Sequence, residues 1–196
     1  MLRSSTGYTT EAQLVGALRR ADSRAQKWAF EHFSGRMLSL CTRYIGDRFT
    51  AEEVLMDGFM RVFERIDQYR GEGSFEGWIK RIMVNESLAY LRRHKHWLAE
   101  ADLTTECAIP DIAGADEHLQ AEELLDLLEK LPNGYRMVFN LYAIEGYSHV
   151  EIANMLGISE NTSKSQLHRA RVYLQKQLAQ LEGTKKYVAY EKTPHR

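Results

Sequence analysis

Apolar residues recur at helical spacing along almost the whole of this chain, and few residues interrupt the pattern. Only 3 prolines occur among its 196 residues, so helices can run for many turns almost everywhere. Hardly any segment alternates apolar and polar residues in the way that a half-buried strand does. The pattern therefore predicts an all-α protein.

The N-terminal part of the chain is predicted to form four helices. Apolar residues mark two of them before the segment 50–53 (Thr-Ala-Glu-Glu), which matches a capping box, a pattern that satisfies free N–H groups at a helix start. We therefore expect the third helix to begin there and to reach Ile66. Polar residues 67–74 indicate a loop, and a long fourth helix follows, with Phe75 and Trp78 in the core and a basic end.

A linker and a second helical unit follow. Residues 97–117 lack apolar periodicity and contain scattered acids, which is typical of a flexible connector. Helical spacing then resumes and continues towards the C-terminus. The segment Pro132-Asn133-Gly134 predicts a turn, and the apolar residues between Met137 and Ile144 predict a short helix after it. The expected architecture is two small helical bundles joined by a flexible acidic linker.

Charge is strongly segregated, although the formal net charge is only -1. Residues 80–96 and 159–196 are mainly basic, whereas residues 99–130 contain ten acids and a single base. Two basic segments that flank an acidic one suggest two contacts with polyanions, joined by a connector that avoids them. Solvated helix faces are the alternative explanation for any one of these segments.

The segment from Tyr147 to Leu178 has the pattern of a helix-turn-helix. Residues 148–151 match a capping box, Gly157 can adopt the positive φ of a helix end, and Ser159 can cap the next helix. Ser163 and Leu167 are expected to face inward on that helix. Its outward positions are polar or basic: Asn161, Lys164, Ser165, His168 and Arg171. Such a helix fits the DNA major groove, although a glycine-linked helical hairpin without DNA binding has the same pattern.

Residues 159–171 resemble the recognition helix of the extracytoplasmic-function sigma factors. That family commonly shows Gly-Thr-Val-Lys-Ser-Arg-Leu followed by His-Arg-Ala-Arg, and most of these residues occur here. Asn161, Ser163 and Gln166 depart from the pattern. Because a serine replaces a usually apolar residue, we expect altered local packing, and the asparagine and glutamine are expected to alter the preferred bases.

The N-terminal part resembles the same family independently. Residues 51–59 are similar to its Ala-Glu-Asp-Leu and Glu-x-Phe pattern, and residues 75–93 to its next conserved stretch. Ala89 stands where that stretch usually has an aspartate. Two sets of motifs in the same order and at the same separation are much more specific than either set alone.

The resemblance implies a role for each segment. Residues 8–96 are implied to bind core RNA polymerase and the melted promoter strand, residues 97–117 to be the linker, residues 118–182 to bind the duplex upstream promoter element, and residues 183–196 to be a tail. The implied polymerase contacts are Glu52, Glu53 and Asp57. The implied contacts with melted DNA are Tyr69, Arg70, Ser74, Arg81, Asn85, Arg92 and Arg93. The duplex contacts are Asn161, Thr162, Lys164, Ser165, His168, Arg169 and Arg171.

Other functional classes receive less support from the sequence. No phosphate loop, catalytic triad or metal-ligand cluster is evident, so we expect no catalytic residue, cofactor or metal. Without an apolar span or signal peptide, and with two isolated cysteines, the chain is expected in the cytoplasm. The resemblance to sigma factors implies control by an anti-sigma factor. Two alternatives stay open: a ligand-responsive regulator that binds DNA without polymerase, and a helical enzyme with an incidental helix-turn-helix.

Overall fold

The computed structural model describes residues 8–94 and 127–191, with side chains described up to Leu181. Both described parts are helical, and they belong to two separate compact units. The predicted linker, residues 97–117, lies outside the described residues, so its expected extension is not tested. No helix in the described ranges combines the length and the apolar character that a membrane span requires.

The first unit is a bundle of four α-helices. They are α1 (Glu11–Arg19), α2 (Ser23–Ile45), α3 (Arg48–Glu64) and α4 (Phe75–Arg93), with a short 3-10 turn (Ile66–Gln68) after α3. Helices α2, α3 and α4 pack against one another, and α1 packs on α2 and the 3-10 turn. Their apolar faces form the core, in which the largest fully buried side chains are Met37, Tyr44, Phe59, Phe75, Ile79, Met83 and Leu88.

Helix α3 begins earlier than the capping box at Thr50 predicted, and that prediction is wrong. Asp47 is the N-cap, and its carboxylate accepts a hydrogen bond from the Thr50 backbone N–H at 2.8 Å. Hydrogen bonds from the Thr50 side chain and backbone lower the pKa of Asp47. Gly46 ends α2 with φ 80°, which leaves Asp47 extended and able to cap α3 before Thr50 can. As a consequence, Glu52 and Glu53 lie beyond the first turn of α3.

Gly58 allows α3 and α4 to approach closely. A Cβ atom at this position would lie 2.3 Å from Sδ of Met83, a fully buried residue of α4. The glycine therefore makes room for the methionine side chain in the helix interface.

The second unit contains α5 (Asn133–Phe139), a π-helical segment (Asn140–Ile144), α6 (His149–Leu156) and α7 (Glu160–Glu191). Residues 127–129 add a short helical turn before α5. One buried cluster joins this turn and α5 to α7, and it consists of Leu127, Leu128, Leu131, Tyr135, Ala170 and Leu174. Helix α7 continues to Glu191, within the residues that the sequence assigns to a tail.

Two details around α5 differ from the sequence-based expectation. Asn133 and Gly134 lie inside α5 rather than in a turn, because Pro132 occupies the N-cap and proline suits a helix start. Ile144 is exposed instead of buried, since it ends a π-helical segment. The additional residue per turn of a π-helix rotates the following side chains away from the face predicted for a regular helix.

Candidate nucleic-acid interfaces

The helix-turn-helix is formed by α6 and the start of α7. Ser148 and Glu151 form the predicted capping box at the start of α6, and Gly157 ends that helix in the left-handed conformation with φ 68°. Ser159 caps α7, because its hydroxyl accepts from the Thr162 backbone N–H at 3.0 Å. These local predictions are confirmed.

The outward side of α7 presents most of the predicted duplex contacts. Thr162 is partly buried, and the other six predicted residues are exposed. Two of the predicted side chains already make hydrogen bonds near the helix start. The Thr162 hydroxyl lies 2.8 Å from the Ser159 hydroxyl, and Ser165 Oγ donates to the Thr162 carbonyl oxygen at 2.9 Å. Thr162 and Ser165 therefore stabilise the first turns of α7 as well as lining its surface.

Lys164 forms an ion pair on this same surface. Its Nζ atom lies 2.7 Å from Glu160 Oε1, and the hydrogen bond and charge of Lys164 lower the pKa of Glu160. The pair is exposed, so water and salt screen it and it stabilises the helix only weakly. A phosphate that binds Lys164 competes with the Glu160 carboxylate for the same ammonium group.

Arg171 lies over an aromatic ring that the sequence did not identify. Its guanidinium carbon is 5.9 Å from the ring centre of Tyr142, which belongs to the π-helical segment. Tyr142 in turn stacks on His149, with ring centres 4.5 Å apart. This arrangement restricts the position of the Arg171 side chain. No short-range pattern signals it, because Tyr142 reaches this face through the irregular π-helical turn.

The three residues that depart from the family pattern differ in their exposure to solvent. Asn161 is exposed, as a base contact requires. Ser163 is 0% exposed, and its hydroxyl lies 2.9 Å from His149 Nδ1, so a hydrogen bond replaces the usual apolar packing. Gln166 is only 4% exposed, and its buried Oε1 atom has no hydrogen-bond partner among the described residues. Gln166 is therefore not exposed for a direct base contact, and its expected influence on base preference stays a prediction.

A second basic surface lies on α4 and the loop before it. Arg81, Asn85 and Arg92 are exposed and lie at intervals of four and seven residues, which places them on one side of the helix. Arg93 is exposed at the end of α4, and Arg70 is exposed in the loop. The arrangement places exposed cations along α4 beside a glycine-containing loop, which suits a single nucleic-acid strand.

Two of the residues predicted to contact melted DNA also have structural roles. Tyr69 is 4% exposed, and its hydroxyl is hydrogen-bonded to the Glu11 carboxylate. Burial and this hydrogen bond raise the pKa of Tyr69 to about 12. Its ring packs against Phe75 and Trp78, so Tyr69 lies in the core, and its contact with melted DNA stays a prediction. Ser74 is exposed, but its hydroxyl caps α4 by accepting from the Gly77 N–H at 3.1 Å.

A cleft of about 260 Å³ lies between α1 and this loop. It is lined by Glu11, Ala12, Val15, Gly16, Arg19, Tyr69, Arg70 and Gly71. The sequence did not indicate this cleft, because α1 and the loop are about fifty residues apart along the chain. Arg19 and Tyr69, which are joined by a hydrogen bond, show this separation.

An acidic and apolar stripe runs along the exposed side of α3. Glu53 and Asp57 are exposed, and neither has an ion pair or side-chain hydrogen bond with the described residues, whereas Glu52 pairs with Arg48 at 3.2 Å. Three large apolar residues are exposed on the same helix, although the sequence analysis did not select them. They are Phe49, Met56 and Met60, at 73%, 53% and 58% exposure. Their helical spacing with the acids is the signal that could have identified them.

The two units correspond to two known protein families. Residues 29–96 match the model of sigma-70 region 2, and residues 121–174 match the model of sigma-70 region 4. The chain is 25% identical to the RNA polymerase sigma-H factor of Pseudomonas aeruginosa over 183 residues, which are 87% of this chain and 95% of the relative. It is 34% identical to the ECF RNA polymerase sigma factor SigE of Mycolicibacterium smegmatis over 150 residues, or 74% of this chain and 58% of the relative.

The chain belongs to the extracytoplasmic-function sigma factor family. The resemblance noted in the sequence is thereby confirmed, and the protein is an alternative sigma factor. One solved structure with a similar fold is that of the sigma factor RpoE with the anti-sigma factor NepR from Bartonella quintana. It is 21% identical, with a TM-score of 0.49, and the alignment covers 79% of this chain and 96% of that chain.

The region 2 match begins inside α2 of this sigma factor and ends beyond α4. It therefore includes the acidic and apolar stripe of α3 and the basic surface of α4. Helix α1 precedes the matched residues. The region 4 match includes α5, α6 and the first part of α7.

Proposed function

We propose that this sigma factor binds core RNA polymerase through the exposed stripe of α3. Two acids without described partners lie beside three exposed apolar side chains. Water solvates the apolar side chains poorly, and exposed apolar patches are typical of protein interfaces. The acids favour a basic partner, and the apolar residues provide the area that is buried on docking. Since Glu52 and Glu53 lie beyond the first turn of α3, helix-end stabilisation does not account for them.

We further propose a division of DNA recognition between the two units. Arg81, Asn85, Arg92 and Arg93, with Arg70 in the loop, contact the melted strand. The exposed side of α7 enters the major groove of the duplex upstream element. We propose that residues 8–96 bind polymerase and the melted strand and that residues 118–182 bind the duplex element. Residues 97–117 would be the linker between them, and residues 183–196 the tail.

The proposal involves binding alone, without catalysis by this chain. Among the described residues no group of three or more His, Cys, Asp or Glu side chains could hold a metal ion. Polymerase and promoter DNA define the site of action, so we propose a cytoplasmic location. An anti-sigma factor is a further proposed partner, because the exposed apolar residues of α3 require cover when polymerase is absent. A ligand-responsive regulator that acts without polymerase has no need for this stripe.

Competition for core polymerase is the experiment that tests this function. The parent chain, Glu53→Lys with Asp57→Lys, and Met56→Ala with Met60→Ala would each compete with a labelled parent chain for core enzyme. Both double variants should compete at least tenfold less well, as is typical when interface residues are truncated or reversed. Circular dichroism should show unchanged helicity in both.

Glu31→Lys provides the matched control, because Glu31 is an exposed acid on α2 that pairs with Lys27 at 3.8 Å. This variant should compete like the parent chain. Equal competition by the parent and both double variants would show that α3 is not the docking surface.

A further inference from the structure

Helix α1 makes three long-range hydrogen bonds to the loop between the 3-10 turn and α4. Arg19 Nη2 donates to the Tyr69 carbonyl oxygen at 2.7 Å. The Glu11 carboxylate accepts from the Phe75 backbone N–H at 3.0 Å and from the Tyr69 hydroxyl. The first and last residues of the segment 69–75 are therefore both attached to α1.

The loop between these attachment points has little internal support. Residues 70–74 are all exposed, and Gly71 and Gly73 have φ values of 78° and 83°. No atom lies within 4 Å of the position where a Cβ would stand on either glycine. Because ordering the backbone costs conformational entropy at every residue, a loop without packing of its own keeps one shape only if its ends are held.

Glu11 is chemically suited to hold both ends at once. Its two carboxylate oxygens accept from two different donors, and one of them, the Phe75 N–H, belongs to the first turn of α4 and has no partner inside that helix. The Tyr69 hydroxyl also lies 2.8 Å from the Gly73 carbonyl oxygen, which extends the network into the loop. A glutamine cannot reproduce this charged pattern. Its amide oxygen can accept from the Phe75 N–H, but its NH₂ group can only donate to the Tyr69 oxygen, and both bonds lose the assistance of the carboxylate charge.

We propose that α1 positions the loop for melted DNA, with Glu11 and Arg19 as positioning residues. Arg70, one of the proposed DNA contacts, follows the attached Tyr69, and α4, which carries the others, starts at the attached Phe75. The two positioning residues lie outside the match to sigma-70 region 2, which begins at residue 29. The inference rests on the proposed contact of this loop and of α4 with the melted strand.

Promoter opening by reconstituted holoenzyme tests the inference. Full-length Glu11→Gln and the parent chain would be compared for core competition, for thermal unfolding, and for permanganate reactivity of the promoter bubble. The promoters would carry each of the four bases at each position of the upstream bubble edge. Glu11→Gln should bind core like the parent, open the preferred promoter roughly three- to tenfold less, as expected when charge-assisted hydrogen bonds give way to weaker neutral ones, and discriminate less between bases.

A structural control separates positioning from loss of stability. Gly58→Ala affects the α3–α4 interface, which does not include the loop, and the temperature of the assay can be set so that both variants are equally folded. The positioning role is supported if Gly58→Ala opens the promoter less but discriminates between bases like the parent. Glu11→Gln alone should then lose discrimination. Equal discrimination by Glu11→Gln and the parent would overturn it, as would an equal loss of discrimination in both variants.

Arg81→Ala and Arg92→Ala distinguish failure of this inference from failure of the proposed function. If these variants reduce opening while Glu11→Gln discriminates like the parent, the DNA contact is correct and α1 does not position the loop. If neither arginine variant changes opening, this face does not contact the melted strand, and the proposed role of α1 is overturned with it.

Discussion

Ser163 Oγ lies 2.9 Å from His149 Nδ1, in a hydrogen bond that joins the two helices of the helix-turn-helix. Ser163 is on the buried side of α7, and His149 is the first residue of α6. A buried hydroxyl without a partner costs about 1–3 kcal/mol, so the histidine removes the penalty of placing a serine in this core. The same histidine ring stacks on Tyr142, over which Arg171 lies.

We predict that this hydrogen bond stabilises the second unit by about 0.5–1.5 kcal/mol. Ser163→Ala and His149→Phe should each destabilise it, and the double variant should be less destabilised than the sum of the two, because both single changes remove one shared bond. Phenylalanine retains a ring that can stack on Tyr142. Hydrogen exchange of α6 and α7 amides in the full chain measures the effect, and simple additivity of the two changes would exclude the coupling.

The surroundings of Gly58 and Gly35 predict opposite effects of a glycine-to-alanine substitution on the stability of the first unit. Alanine is favoured over glycine in a helix by about 0.8–1.0 kcal/mol. At Gly58 the added methyl group meets Met83 in a closed core, and overpacking of this kind costs about 1–3 kcal/mol, so Gly58→Ala should destabilise the first unit. Gly35 in α2 has no atom within 4 Å of the corresponding position, so Gly35→Ala should stabilise it.

Fluorescence of Trp28 and Trp78 during urea unfolding reports on the first unit, since both tryptophans lie within it, and a Trp97→Phe background removes the third tryptophan of the chain. Gly58→Ala combined with Met83→Ala should be less destabilised than the sum of the two single changes, because the smaller side chain leaves room for the methyl group. A stabilised Gly58→Ala variant would contradict the packing argument.

Cys41 is predicted to react slowly with thiol reagents in the native protein. Burial raises the pKa of its thiol to about 11, although a hydrogen bond with Ser87 acts in the opposite direction. At pH 8 a thiol with this pKa has roughly a hundred times less thiolate than one with an ordinary pKa near 9, and access is restricted as well. A Cys107→Ser variant would isolate the reaction of Cys41.

The same pKa predicts a loss of stability at alkaline pH. The pKa of the Cys41 thiol is higher in the folded chain than in the unfolded chain. The protonated thiol therefore contributes fully to the free energy of unfolding below about pH 9, and this contribution declines as the pH rises towards about 11.

The reactivity of Cys41 is measured with a chromogenic disulfide reagent at pH 8, and the reaction should be fast only in denaturant. Rapid reaction of the native Cys107→Ser variant would show that the thiol is accessible and ionised.

The ion pair on α7 predicts how charge changes alter duplex binding. Lys164→Ala should weaken holoenzyme binding to all upstream-element variants alike and reduce its salt dependence, as expected for a phosphate contact. Glu160→Gln should strengthen binding, since it removes the carboxylate that competes with phosphate for Lys164. Arg169→Ala should cost about 1–3 kcal/mol and relax the preference at one position if Arg169 contacts a guanine.

Binding of these holoenzymes across a set of upstream-element sequences provides the measurement. Gln175→Ala, at an exposed position of α7 outside the predicted contacts, serves as a neutral-charge comparison. If Lys164→Ala and Arg169→Ala both bind every promoter like the parent chain, α7 is not the helix that recognises the upstream element.

The sequence alone determined the features that depend on neighbours a few residues apart. Helical spacing predicted the helices, and the pattern at residues 148–159 predicted the capping box, the glycine turn and the cap of the helix-turn-helix. The exposed and buried sides of α7 followed from the same periodicity, including the inward position of Ser163. A local prediction was wrong where two local signals competed, as when Asp47 capped α3 three residues before Thr50.

Tertiary structure decided the roles that depend on residues far apart in the chain. Tyr69 belongs to the core, where Glu11, which precedes it by 58 residues, accepts a hydrogen bond from its hydroxyl. The buried Ser163 finds its partner in His149 on another helix, and Tyr142 reaches Arg171 only because a π-helical turn rotates it outward. Propensity and periodicity contain no information about such contacts, since a hydrogen bond or ring contact between two elements exists only once packing has fixed their separation and rotation.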